Sequence, residues 1–124
     1  MVGLRKIIIA GGRDFNNYQF FLNNIWPLLK GSNQIEIVSG CANGADKIGE
    51  KFAESFGLPI SRFPANWSKY GKSAGPIRNL EMAKYADELI AFWDGKSSGT
   101  KNMIDTATKL GLKINIFTYN IDTV

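Results

Sequence analysis

Ile35-Glu36-Ile37-Val38-Ser39-Gly40-Cys41-Ala42-Asn43-Gly44-Ala45-Asp46 decides the fold: an apolar run enters a polar turn with two glycines, and a helical pattern follows. The same unit occurs twice more. Ile7-Ile8-Ile9 leads into Gly11-Gly12-Arg13-Asp14, and Leu89-Ile90-Ala91-Phe92 leads into Asp94-Gly95-Lys96-Ser97-Ser98-Gly99-Thr100. Repeated strand–turn–helix units place several helix N-termini on one edge of a sheet. Unpaired backbone N–H groups and positive helix ends converge there, and such an edge binds anions. A phosphorylated ligand is the first expectation.

Working outward, Lys6–Ala10 reads as a buried strand bounded by a glycine pair. Tyr18, Phe21, Leu22, Ile25, Leu28 and Leu29 recur at helical spacing up to Gly31, with Pro27 placed to shorten or kink the last turn. After the second strand, Ala45, Ile48, Phe52, Ala53 and Phe56 make one stripe closed by Gly57; Asn43 is in position to cap it, with Asp46 at the capping-box position. Pro59–Phe63 is the third strand, and a long loop from Pro64 to Gly75 follows. Pro76 then suits the first position of a helix running to about Ala86. Leu89–Phe92, a helix from Thr100 to Leu110, and Ile114–Phe117 complete the chain.

Strand and helix alternate throughout, which predicts an α/β fold: a parallel sheet with helices on both faces. Central strands of such a sheet are uniformly apolar and edge strands are mixed. The first, second and fourth strands are the apolar ones, so the predicted order is 3-2-1-4-5. Ligands bind where the strand order reverses, here between strands one and four, with Gly11–Phe15 and Trp93–Thr100 as walls.

The 124 residues suit a single domain, 1–124, and the apolar fraction of 44% suits a soluble globule. The longest apolar run falls well short of a membrane span and the start does not read as a signal peptide, so a cytoplasmic protein without a membrane partner is expected. One cysteine excludes an internal disulfide, and the absence of histidine removes His-based metal sites, serine triads and Cys–His dyads. Carboxylate-bound Mg²⁺ stays open, but nothing demands it; no metal and no cofactor are expected. The net charge of +4 is modest for a nucleic-acid binder, so a nucleic-acid partner is not expected.

Candidate ligand contacts follow from the turns. Gly11 and Gly12 allow close backbone approach, and Arg13 can fork onto a phosphate or carboxylate. Asp14 suits either a ribose hydroxyl or the cap of the next helix. Ser39, Gly40 and Gly44 form the best phosphate cradle, but without the Lys-Ser/Thr ending of a Walker loop. Asp46 either caps its helix or meets ligand. In the 64–75 loop, Trp67 and Tyr70 can stack a base while Lys72 meets phosphate; a lid packed on the sheet or a subunit interface would use the same aromatics. Arg78 and Asn79 are placed in the first turn of a helix, where a cation opposes the dipole, and Arg78 is the leading candidate. Asp94, Gly99 and Thr100 complete the set. Each lysine also reads as ordinary solvated surface, and Cys41 as a half-buried filler.

Taken together, Gly11-Gly12-Arg13-Asp14-Phe15, Ser39-Gly40 with Gly44-Ala45-Asp46, Phe63-Pro64-Ala65 with Trp67, Ala74-Gly75-Pro76-Ile77-Arg78-Asn79 with Met82, and Gly99-Thr100 resemble the YspA-like branch of the SLOG superfamily, which includes Smf/DprA and LOG domains. The resemblance spans residues 7 to about 117. It implies a Rossmann-like three-layer sandwich with a five-stranded parallel sheet, a nucleotide-like small ligand, and a homo-oligomer, a dimer or larger. LOG relatives hydrolyse the N-glycosidic bond of nucleoside monophosphates with an Arg and a Glu. Arg78 and Met82 match the first of those elements, and Gly99 and Thr100 match part of the second. Met103 stands where the Glu would be. Methionine can neither stabilise a developing positive charge on the sugar nor activate water.

The resulting expectation is binding, for sensing or sequestration, of a nucleotide or nucleotide-derived signal such as an ADP-ribose-like or cyclic species, in a phage–bacterium conflict system, with no catalytic residue assigned. The alternatives are a LOG-like nucleotide N-glycosidase and DprA-like binding of single-stranded DNA. The last predicts affinity that falls steeply with salt.

Overall fold

The isoleucine run settles the centre of the molecule. In the computed structural model, which describes residues 3–32 and 34–120, β1 (Arg5–Gly11) carries Ile7, Ile8 and Ile9 with no exposed surface. Alternate side chains of a strand point to opposite faces. Ile7 and Ile9 accordingly pack with Phe21 and Ile25 of α1 (Tyr18–Leu29) and Phe52 and Ala53 of α2 (Ala45–Ser55). Ile8 and Ala10 pack with Met82 and Ala83 of α4 (Ala74–Tyr85) and Met103 and Ala107 of α5 (Ser98–Lys109). A strand covered on both faces has no polar side to show, hence the uninterrupted apolar run.

β2 (Ile35–Ser39), β3 (Ile60–Arg62), β4 (Glu88–Trp93) and β5 (Lys113–Thr118) join β1 in a five-stranded sheet of order β3-β2-β1-β4-β5. All four neighbouring pairs are parallel; Ile8 stands opposite Val38 on one side and Leu89 on the other. The order is the one the apolarity of the strands predicts. β3 is only three residues long, but Pro59 O accepts from Ile37 N at 2.9 Å and Phe63 N donates to Ser39 O at 2.8 Å, so the ladder continues on either side of it. A leading proline costs nothing on an edge. The α1 helix continues past Pro27 to Leu29.

Three local expectations need correction. The 64–75 segment is not one loop: it holds α3 (Trp67–Tyr70), capped by the Asn66 side chain, and a 3-10 turn at Gly71–Ser73. Pieces this short carry no periodic signal to read. The following helix starts at Ala74, not Pro76, so Arg78 lies in its second turn rather than its first, and the dipole argument at Arg78 weakens accordingly. Asn43 is not the cap of α2; Gly44 is, without a side-chain bond.

Candidate functional site

Every strand of a parallel sheet ends on the same side, so the glycine turns after β1, β2 and β4 share one edge. Gly44 locks two of them together. Its φ of 79° and the position of its α-carbon against the Gly12 and Arg13 backbone leave no room for a side chain. The next residue, Ala45, donates its N–H to Gly12 O at 3.1 Å. The result is a cleft of about 650 Å³ over the junction of β1 and β4.

Gly11, Gly12, Arg13 and Asp14 form one wall of the cleft. Asp94, Gly99 and Thr100 form the other, with Ser97, Ser98 and Asn102 beside them. Trp67, Lys72, Arg78 and Asn79 come in from α3, the 3-10 turn and α4, while Asp46, Met82 and Met103 lie deeper. Gly40 and Cys41 line a smaller hollow of about 260 Å³ that shares Arg13, Trp67 and Arg78 with the main cleft. Three predicted residues, Gly44, Ser39 and Tyr70, lie in neither space. Gly44 acts as the clamp just described. Ser39 is fully buried: its hydroxyl donates to Glu50 Oε2 at 2.6 Å and accepts from Cys41 N at 3.0 Å.

Among the described residues, Arg13, Lys72 and Arg78 make no salt bridge, whereas Arg5 and Arg62 both do. Arg78 is held by neutral groups: it donates through Nη1 to Gly40 O, and through Nε to Asn79 Oδ1 at 2.9 Å. Asn79, buried itself, donates onward to Asn102 Oδ1 at 2.9 Å and fixes α4 against α5. The guanidinium is oriented with no carboxylate in salt-bridge contact among the described residues, although the Asp46 carboxyl lies near enough to feel its charge; the arrangement is suited to a phosphate or carboxylate.

The carboxylates of the cleft differ from one another. Asp46 is 5% exposed and accepts from Ala42 N at 3.2 Å, so part of the 39–44 turn is served by the protein's own anion. Burial pushes the Asp46 carboxyl up to about 6, against the opposing pull of the Ala42 N–H and the Arg78 charge. Asp94 Oδ1 accepts from Ser97 N and Lys96 N, both at 2.8 Å, and these bonds hold its carboxyl below the ordinary range. Asp14 does not cap α1, because Asn17 does, accepting from Phe20 N at 3.0 Å. Its Oδ1 instead accepts from the Tyr119 hydroxyl. Tyr119 is absent from the sequence-based candidates; extending β5 to the common strand-end edge would have been the signal for it.

Trp67 is 51% exposed, lines the cleft and packs near Gly75. Tyr70 lines neither hollow and carries Lys69 Nζ over its ring at 5.1 Å. Among the described residues, no group of three or more Cys, Asp or Glu side chains is placed to hold a metal ion, and no helix is long and apolar enough to cross a membrane.

A parallel 3-2-1-4-5 sheet with its cleft at the reversal of strand order is a Rossmann-like α/β fold. The sequence pattern of the YspA, cpYpsA-related SLOG family matches residues 5–70, and the chain belongs to that family. Gene 61 protein of Mycobacterium phage D29 is 30% identical over 122 residues, an alignment covering 90% of this chain and 94% of the relative. DNA processing protein A (DprA) from Streptococcus pneumoniae shares the fold, with a TM-score of 0.72 at 17% identity over 95% of this chain. The chain spans about half of that protein, 52% of its length.

Proposed function

We propose that this protein binds a nucleotide or nucleotide-derived signal in the cleft over β1 and β4 and does not turn it over. The observation that carries the reading is the set of three cations, Arg13, Lys72 and Arg78, that face one cleft without a salt-bridge partner among the described residues. Phosphate sits against Arg78 and Arg13, on the cleft side of the turn that Asp46 already serves from beneath. Trp67 covers the base. Met103, 1% exposed and lining the cleft, offers no acid–base group at the position where LOG relatives use a carboxylate. The phage relative supports a phage–bacterium setting, in which sensing or sequestration is the use proposed here, and membership of the family favours a nucleotide over other phosphorylated ligands.

Isothermal titration with nucleoside 5′-monophosphates tests this. A charge-assisted contact contributes about 1.5–3 kcal/mol, so Arg78→Ala weakens binding roughly ten- to a hundredfold while the thermal melting point stays close to that of the parent. Equal affinity in a folded Arg78→Ala protein removes Arg78 from the site. One observation favours a second reading. Asp46 is a buried carboxyl at about 6 within the same cleft, a value suited to proton transfer near neutral pH. Steady release of free base from a nucleoside monophosphate, lost in Asp46→Asn, would establish the N-glycosidase and end the binding-only account.

A further inference from the structure

The lining of the cleft carries charge of both signs. Arg13, Lys72 and Arg78 bring positive charge, while Asp14 and Asp94 stand on the two facing walls. The hydrogen bonds already made separate the two acids. Asp94 accepts from two backbone N–H groups of its own turn and has a structural task. Asp14 accepts one bond, from Tyr119, and is solvent-exposed at the rim. A carboxylate in that state repels phosphate and can still accept from hydroxyl groups.

Tyr119 is tied down by every part of its structure. Its N–H donates to Trp93 O at 3.1 Å, which extends the pairing of β5 with β4 by one residue. Its ring lies 4.9 Å from that of Phe15, which in turn stacks on Phe92 at 4.9 Å. Its hydroxyl reaches Asp14 across Gly12, where any β-carbon would occupy the position of the phenol oxygen. The glycine, the aromatic stack and the extra ladder bond all serve one placement, that of a phenol O–H donating to Asp14. Burial and the Asp14 bond both hold the phenol pKa above its ordinary value, so the hydroxyl stays a donor at any physiological pH.

We infer that Asp14 recognises the ribose hydroxyls of the ligand and that Tyr119 is its positioning residue, so the cleft selects ribonucleotides over 2′-deoxyribonucleotides. The inference rests on the nucleotide-binding reading and deepens it. Phosphate at Arg78 and sugar at Asp14 also fix the direction in which the ligand lies. Removing the 2′-hydroxyl leaves the carboxylate with one fewer donor and lowers affinity.

The experiment is calorimetric titration of the protein with AMP, GMP, CMP and UMP, each against its 2′-deoxy counterpart. The base that binds best should show a ribo-to-deoxy preference of about tenfold, the low end for loss of a hydrogen bond to a charged group. Asp14→Ala should bring that ratio to about one. Tyr119→Phe keeps the ring stack and removes only the hydroxyl, and should bring the ratio to about three; a residue with only a packing role would leave the ratio unchanged. Melting curves confirm that both variants are folded. Equal binding of the ribo and deoxy forms by the parent protein overturns the inference and leaves nucleotide binding standing. A Tyr119→Phe protein with the full parental ratio overturns the positioning role. Absence of binding for every nucleotide overturns the inference and the reading beneath it together.

Discussion

The two ends of the sheet treat arginine in opposite ways. At the end where the strands begin, Arg5 of β1 donates to both carboxylate oxygens of Glu88 on β4, at 2.7 and 2.8 Å, and also to Ser32 Oγ and Leu28 O. The pairing is mutual: the Arg5 bonds hold the Glu88 carboxyl below its ordinary range. At the end where the strands finish, Arg13 and Arg78 face a cleft and make no salt bridge among the described residues. A compensated, half-buried arginine fastens two strands. One oriented by neutral groups, with no carboxylate in salt-bridge contact, keeps hydrogen-bonding capacity for an anion. The contrast separates residues that hold the fold from residues proposed here to meet a ligand, although both kinds look alike as letters in the sequence.

The largest expected effect breaks the closed end. Arg5→Ala leaves Glu88 with its bidentate partner gone, and loss of one member of a largely buried pair costs about 3 kcal/mol or more. Urea unfolding should show that loss, while nucleotide affinity of the folded fraction stays at the parental value. If Arg78→Ala destabilises the protein as much as Arg5→Ala does, the distinction between the two ends fails.

A smaller effect sharpens the contrast from within the open end. Asp46 titrates at about 6 rather than its ordinary 3.8, because burial penalises the charged form. The folded protein therefore binds this proton more tightly than the unfolded chain does. Ionised Asp46 costs stability above pH 6, and the cost fades as pH falls from 6 towards 4. At pH 8 the full shift corresponds to about 2–3 kcal/mol as an upper bound. Asp46→Asn should raise the melting point at pH 8 and leave it nearly unchanged at pH 4. It should also tighten nucleotide binding at pH 8, by removing a negative charge beside Arg78. An Asp46→Asn protein that melts lower at pH 8 would show that the carboxylate bond to Ala42 N outweighs desolvation.

The smallest effect belongs to Lys72. It is exposed and free of partners among the described residues, so its contribution is a screened charge of less than about 1 kcal/mol. Lys72→Ala should weaken nucleotide binding a few-fold in low salt and not measurably in 0.5 M salt. A loss as large as that from Arg78→Ala would make Lys72 a direct phosphate ligand.

The legible parts of this protein are those where one physical requirement acts on neighbouring residues. Three β-branched isoleucines in a row, closed by a glycine pair, suit a strand covered on both sides, and the mixed patterns of Pro59–Phe63 and Ile114–Phe117 mark edges; order 3-2-1-4-5 follows from that. The turns were legible as turns, and most of their residues do line one cleft. Side-chain pairing was not. Nothing local says that Ser39 is taken by Glu50, that Asp46 bends back to Ala42 N, or that Tyr119 meets Asp14 across 105 residues of chain. Each of those bonds depends on rotamers and on strand register, and a hydroxyl spent inside the fold reads the same as one offered to a ligand. The α3 helix escaped for a simpler reason, since four residues cannot display a helical period.

The most direct test is a crystal structure with AMP bound. The account predicts phosphate oxygens within about 3 Å of the Arg13 and Arg78 guanidinium groups and the base against Trp67. AMP with its phosphate anywhere else on the protein, or a cleft left empty at saturating nucleotide with Arg78 still resting on Gly40 O, would contradict it.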